Sequence, residues 1–259
     1  MTDWRDKFLN KVVCGDCLEL MRELPDGCVD LVFADPPFNV GKKYGAYRDD
    51  RVDYRDWCAE WVFECFRLLS GPGSFYLMTI TRHLEWLMPL MAGHGMFINL
   101  ITWRNVSACH SKRQFWGEYQ PILFYGKTTD YIFNTYAEII PDGQRRWGGY
   151  STEYKGQFKD RWDDIPFVYA GSISHPEAVI MPGSSRKAHP AQMPVNLAKR
   201  AIRFSSNEGG VILDPFLGSG TTAVAAAELD RNFIGMELNP DYVEIARRRL
   251  LKIQKELPL

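Results

Sequence analysis

The sequence predicts a single α/β domain built on a doubly wound, mainly parallel sheet, and three observations carry that prediction. Short apolar runs alternate with segments of helical spacing at both ends of the chain, the pattern of strands joined by crossover helices. A glycine turn, Asp214-Pro-Phe-Leu-Gly218-Ser-Gly220, leads from one such run into an Ala-rich helical segment. The 259 residues sit at the upper edge of one compact domain, which leaves room for one large insertion.

In chain order, residues 11–14, 17–24 and 29–34 read as strand, helix and strand, the last running into Asp35. Helical spacing returns over 54–69 through Trp57, Trp61, Phe66 and Leu69. A Gly-Pro-Gly turn follows, then a strand over 74–79. Residues 97–103 and 119–125 read as further strands, separated by a polar, basic segment around 110–113. From 126 to 185 the periodicity fails and Gly, Pro, Trp and charged residues dominate. Its aromatic content marks that stretch as an inserted module rather than a disordered linker. Order returns as a helix over 194–204, a strand over 211–213, the glycine turn, a helix over 221–229, a strand over 232–236 and a last helix over 240–257. The chain thus divides into residues 1–104 (first half of the core), 105–185 (strands plus the insertion) and 186–259 (second half).

A formal net charge of -1 argues against a purely electrostatic nucleic-acid binder, so any contact to a polyanion has to come from a local patch. No apolar run approaches the roughly 20 residues of a membrane span. Residues 1–10 do not resemble a signal peptide, and a cytoplasmic protein is expected. Of the six cysteines only Cys14 and Cys17 form a C-x-x-C pair. With no second pair and no paired histidines, buried reduced thiols explain them better than a metal site.

The turn after 211–213 has the physics of a nucleotide site: Gly218 and Gly220 allow a tight turn, and the helix behind supplies free N–H donors. Glu237 ends the next strand about twenty positions beyond the glycines, where a carboxylate meets ribose hydroxyls. The turn is not G-x-G-x-x-G and lacks the P-loop lysine, so a ligand with a ribose but no pyrophosphate fits better. The second feature is Asp35-Pro36-Pro37-Phe38 at the carboxyl end of the 29–34 strand. Two prolines make a rigid turn, and its bland reading is a strand cap. Ligands of parallel α/β sheets bind at that end of the strands, which favours a functional turn.

With these residues in view, the chain resembles the amino-methylating (N6-adenine or N4-cytosine) DNA methyltransferases of the permuted β group. In that group a D-P-P-[YF] motif lies near the N-terminus and an F-x-G-x-G motif near the C-terminus. Gly15-Asp16-Cys17-Leu18-Glu19 resembles the family's first cofactor-facing turn, His189-Pro-Ala-Gln192-Met193-Pro194 its H-P-T-Q-K-P segment, and Gly235-Met-Glu237-Leu-Asn239-Pro its ribose motif. The resemblance implies the methyltransferase fold, circularly permuted, with an inserted target-recognition module and S-adenosyl-L-methionine as cofactor. Carried over residue by residue, Asp35, Pro36, Pro37 and Phe38 are catalytic. The cofactor falls to Asp16, Cys17, Asp35, His189, Gln192 and Pro194 on one side. On the other it falls to Asp214, Phe216, Gly218, Ser219, Gly220, Thr221, Thr222, Glu237 and Asn239. Two departures stand out: Phe38 sits where tyrosine is more usual, and Met193 replaces a lysine.

The implied chemistry gives each residue of the turn a role. A ring amine is a poor nucleophile because its lone pair is delocalised. Acceptors on its two N–H groups, the Asp35 carboxylate and the Pro36 carbonyl, would aim that lone pair at the sulfonium methyl. Phe38 would stack on a base extruded from the duplex. Asp35, where serine would suggest cytosine N4, favours adenine N6. The implied partner is double-stranded DNA, with a homodimer as the assembly to test. Between Arg104 and Lys187 stand 11 Lys plus Arg against 9 Asp plus Glu. The pairs Lys112-Arg113, Arg145-Arg146 and Arg186-Lys187 are the candidate DNA contacts, with solvated surface as their bland alternative. Trp116, Trp147 and Trp162 fit the insertion's own core better than base stacking. The alternatives are a cytosine-N4 enzyme of the same fold and a catalytically silent DNA-binding module. 5-Methylcytosine chemistry is disfavoured because no cysteine follows a proline.

Overall fold

The structure is a computed structural model that describes residues 3–44, 47–104, 113, 115, 117–135, 159–166, 179 and 192–256. Its elements run α1 (Trp4–Phe8), β1 (Lys11–Cys14), α2 (Cys17–Arg22), β2 (Val29–Ala34), β3 (Lys43–Tyr44) and β4 (Tyr47–Arg48). Then come α3 (Tyr54–Leu68), β5 (Leu69–Met78), a 3-10 turn (Thr81–His83), α4 (Leu84–Ala92), β6 (Met96–Arg104), β7 (Tyr119–Gly126) and β8 (Arg161–Trp162). The chain closes with α5 (Val195–Ser205), β9 (Val211–Asp214), α6 (Thr221–Ala227), β10 (Asn232–Glu237) and α7 (Pro240–Glu256).

Eight of these strands form one sheet in the order β1-β10-β9-β2-β5-β7-β6-β8, and β3 pairs with β4 as a separate hairpin. Within the large sheet β7 alone is antiparallel, slotted between β5 and β6. Side chains alternate across the sheet with the strand period of two. Phe75 and Leu77 of β5 enter a core with Leu20, Met21, Trp61 and Leu87 under α2, α3 and α4. Tyr76 and Met78 enter the opposite core with Leu197, Ile202, Ala223 and Val243 under α5, α6 and α7. A sheet covered by helices on both faces is what the alternating apolar runs require.

The elements read from the sequence are present within one or two residues, with one instructive difference. β5 begins at Leu69, not at 74, and the Gly-Pro-Gly stretch lies inside it. Val29 pairs with Leu69 while Leu31 pairs with Ser74, so the extra residues of β5 swing out as a bulge. The glycine–proline composition marks that irregularity rather than the strand's beginning.

This topology places the site. β2 and β9 are neighbours, yet β9 crosses over through α6 to β10 on one side, while β2 crosses over through α3 to β5 on the other. The chain diverges at that point and leaves a crevice beyond the carboxyl ends of both strands. Asp214 ends β9, and Asp35 directly follows β2.

Candidate active site

A cavity of about 670 Å³ opens in this crevice. Its walls come from the turns after four adjacent strands: Gly15–Cys17 after β1, residues 35–38 after β2, 214–219 at the end of β9, and 237–242 at the end of β10. Gln192, Met193, Val40, Lys42, Arg51, Trp57, Thr221 and Thr222 complete the lining. The volume lies in the range of small-molecule sites.

On the β9 side, Asp214 accepts the Phe216 N–H at 2.9 Å, which curls the chain back immediately after the strand. Gly218 takes a left-handed φ of 55°, and its N–H donates to Glu237 Oε2 at 2.8 Å. Glu237 Oε1 accepts the Asn239 N–H, also at 2.8 Å. Glu237 therefore ties the glycine turn to the end of β10, and its carboxylate, which lines the cavity, keeps acceptor capacity beyond these bonds. Phe216 is held edge-on by Trp57 (5.6 Å between ring centroids) and Trp61 (5.1 Å). Thr222 Oγ1 is buried beside the Asp214 carboxyl without a well-formed hydrogen bond.

On the β2 side, the two prolines commit Asp35-Pro-Pro-Phe38 to an extended turn without N–H donors at 36 and 37. The Tyr54 hydroxyl donates to the Pro37 carbonyl at 2.7 Å. Asn39 then reverses the chain at a left-handed φ of 54°, and its side-chain amide donates to the Arg51 carbonyl at 3.0 Å. The β3-β4 hairpin folds back on this reversal through Gly41 N–H to the Asp49 carbonyl and Asp49 N–H to the Lys42 carbonyl, both at 3.0 Å. That fold brings Lys42 to the cavity.

The electrostatics are acidic. Burial pushes the Asp35 carboxyl up to about 7, against the pull of the nearby Lys42 ammonium. Burial likewise raises Asp214 to about 7, opposed by Thr222 and the Phe216 N–H and reinforced by the charges of Asp35 and Glu237. Glu237 is raised by burial as well, against the backbone donors that hold it. Lys42 is lowered by burial and partly held up by Asp35 and Asp49. Three carboxyls sharing one enclosed space resist ionising together, and a cationic ligand would relieve that strain.

A family model described as DNA methylase matches residues 29–248. The chain belongs to the DNA methylase family. It is 30% identical to the type II methyltransferase M.HpaI of Haemophilus parainfluenzae over 93% of this chain and 74% of that one. It is 32% identical to the DNA adenine methyltransferase YhdJ of Escherichia coli strain K12, over 92% of this chain and 82% of that one. Among solved structures, the M1.HpyAVI–SAM complex matches in fold with a TM-score of 0.64 at 20% identity, covering 93% of this chain and 98% of the other.

In this DNA methylase most of the residues expected from sequence meet at the cavity: Asp16, Cys17, Asp35 to Phe38, Gln192, Asp214, Phe216, Gly218, Ser219, Thr221, Thr222, Glu237 and Asn239 all line it. Several also serve the fold. Asp16 caps α2 by accepting the Leu18 N–H at 2.8 Å, and Gln192 Oε1 accepts the Val179 N–H at 3.0 Å. Two expected residues are not part of the lining. Pro194 is the N-cap of α5. Gly220 caps α6 at a φ of 91°, where a Cβ would stand 2.7 Å from the Ala246 Cβ. Its missing side chain lets α7 pack close, instead of admitting a ligand. His189, Lys112, Arg145, Arg146, Arg186, Lys187, Trp116 and Trp147 lie outside the described residues. Arg113 is exposed. Trp162 is buried with Arg200 over its ring at 5.4 Å, but in the second core of the sheet and not in a separate core of the insertion as expected.

Sequence reasoning missed Lys42, Arg51, Trp57 and Tyr242 as cavity residues. Trp57 carried a signal only as a core position of a helix; its ring has one side on Phe216 and the Arg51 guanidinium 5.1 Å from its centroid. Lys42 and Arg51 reach the site through a hairpin whose strands are two residues long, too short for any periodicity.

Proposed function

We propose that this DNA methylase moves a methyl group from S-adenosyl-L-methionine to N6 of an adenine flipped out of double-stranded DNA. The observation that carries the reading is the placement of Asp35 and Pro36 on the wall of the same cavity that Asp214 and Glu237 close from the far side. The lining fits the donor. Its ribose suits the free lone pairs of Glu237, its net positive charge suits three crowded carboxyls, and Thr222 Oγ1 is a buried polar atom still lacking a good partner. When bound, the donor supplies an electrophilic methyl on a sulfonium.

The protein's part is to bind, aim and accept protons. The Asp35 carboxylate and the Pro36 carbonyl accept the two N–H bonds of the target amine and turn its lone pair toward the methyl. As the N–C bond formed, the methyl's bond to sulfur would break and leave a neutral thioether; the amine would become cationic, and the Asp35 carboxylate beside it would stabilise that charge and take the surplus proton. Phe38 offers a face on which the extruded base stacks. Asp35 must be ionised to take the surplus proton, so kcat/KM, which reports the free enzyme, should rise with pH through its raised pKa of about 7.

The region 105–185 supplies target recognition in this reading, with its Lys112, Arg113, Arg145 and Arg146, and the adjoining Arg186 and Lys187, on phosphates. The order of motifs, catalytic before cofactor, supports the permuted arrangement. Among the described residues no helix is long and apolar enough to cross a membrane. The reading puts the protein with its DNA substrate in the cytoplasm. A homodimer is to be sought by sedimentation. Labelled methyl transfer assayed in parallel on DNA, RNA and protein tests the substrate class. Label in DNA is expected, and label confined to RNA or protein would overturn the reading.

A further inference from the structure

The catalytic turn has no donors of its own at residues 36 and 37, so what fixes its carbonyls comes from elsewhere in the fold. Two side chains from separate elements reach it. Tyr54, the first residue of α3, donates to the Pro37 carbonyl at 2.7 Å. Arg82, in the 3-10 turn after β5, donates to the Asn39 carbonyl at 3.2 Å. Among the described residues nothing donates to the Pro36 carbonyl.

Tyr54 is itself held rigidly. It is 7% exposed, and its ring packs against His83 (5.3 Å between centroids), Trp57 (5.8 Å) and Trp86 (5.9 Å). His83 stays a neutral packing partner, because burial, with Arg82 and Arg55 nearby, pushes its pKa down to about 4. The 3-10 turn thus contributes twice, through Arg82 to the catalytic turn and through His83 to the ring that clamps it.

We propose that Tyr54 and Arg82 are positioning residues that grip the carbonyls of Pro37 and Asn39 and thereby leave the Pro36 carbonyl, with Asp35, as the pair of acceptors presented to the target amine. The inference rests on the reading of this turn as the catalytic one. Without the grip the turn still forms, because its prolines set φ, but ψ at Pro36 and Pro37 is no longer held and their carbonyls can swing. A misplacement of about 1 Å costs on the order of 100-fold in rate. Neither side chain lines the cavity, so loss of the grip should appear in the chemical step and not in donor binding.

The test is single-turnover methyl transfer to methylation-free DNA at saturating S-adenosyl-L-methionine for Tyr54→Phe, Arg82→Met and Asp35→Ala, with donor affinity by calorimetry and melting temperature on each. Tyr54→Phe removes one oxygen from a packed ring and should slow transfer about 10- to 100-fold, with donor affinity within about twofold of wild type. Arg82→Met acts at the surface, where folding is not at stake, and should slow transfer several-fold. Wild-type rates in both variants would overturn the clamp, and so would donor affinity falling in step with the rate. Asp35→Ala separates the two levels of the argument. If it is inactive while the clamp variants are normal, only the clamp fails; if it is active, the catalytic reading of the turn fails.

Discussion

Asp35 carries two demands that pull against each other: it must be ionised to stabilise a cationic amine and take its proton, and it stands where burial opposes ionisation. A carboxyl raised from its ordinary 3.8 to about 7 stabilises the fold fully below pH 4, and that contribution is lost as pH rises through 7. Without ligand, therefore, Asp35→Asn should raise the melting temperature by a few degrees at pH 8 and leave it nearly unchanged at pH 4. Thermal melts at the two pH values check the sign. The same substitution keeps one acceptor and loses the charge, so turnover should fall about 100-fold or more while donor binding persists. Glu237 is the counterpart on the donor side. Glu237→Gln loses one of the two acceptors that hold Gly218 and Asn239, and calorimetry should show donor affinity down about tenfold with DNA affinity unchanged. Asp35, Asp214 and Glu237 were legible in the sequence because each ends or directly follows a strand at a marked turn. Lys42, Arg51 and Tyr54 were not, because nothing local distinguishes them from other polar or core residues until the hairpin and α3 fold over the turn.

At the scale of elements, the glycine turn shows how one motif serves two purposes. Gly218 gives its N–H to Glu237 beside the cavity, whereas Gly220 admits α7 against α6. Gly220→Ala forces a Cβ onto Ala246 at an unfavourable φ and should cost about 2–4 kcal/mol in denaturant unfolding. The sequence revealed that these glycines shape a turn, but whether a missing Cβ faces a ligand or a helix depends on packing across more than twenty residues. α4 escaped notice for a related reason: Leu84–Ala92 is apolar on nearly every side and carries Pro89, so it lacks the amphipathic period that marks a helix. The basic pairs of the 105–185 region make a prediction of their own. If Arg145 and Arg146 neutralise phosphates, replacing both with alanine should lower the salt-dependence slope of DNA binding by about 1–2, and an unchanged slope would return them to solvated surface.

For the whole molecule, the sheet's divergence between β2 and β9 gathers four turns from distant parts of the chain around one acidic cavity. Binding a cation there should lower the pKa values of Asp35 and Asp214 from about 7, so donor binding should release protons. Near pH 7, calorimetry in buffers of different ionisation enthalpy should give different apparent heats, and affinity should strengthen as pH rises from 6 to 8. In the proposed mechanism the 35–38 turn performs the chemistry on the flipped base while the 214–237 wall holds the donor. The measurement that tests it most directly is mass analysis of nucleosides from methylation-free DNA incubated with S-adenosyl-L-methionine and either the wild-type protein or Asp35→Ala. N6-methyladenine is expected with the wild type and none with Asp35→Ala, although the variant still binds the donor. Methylation persisting in a folded Asp35→Ala protein, or N4-methylcytosine as the wild-type product, would contradict it.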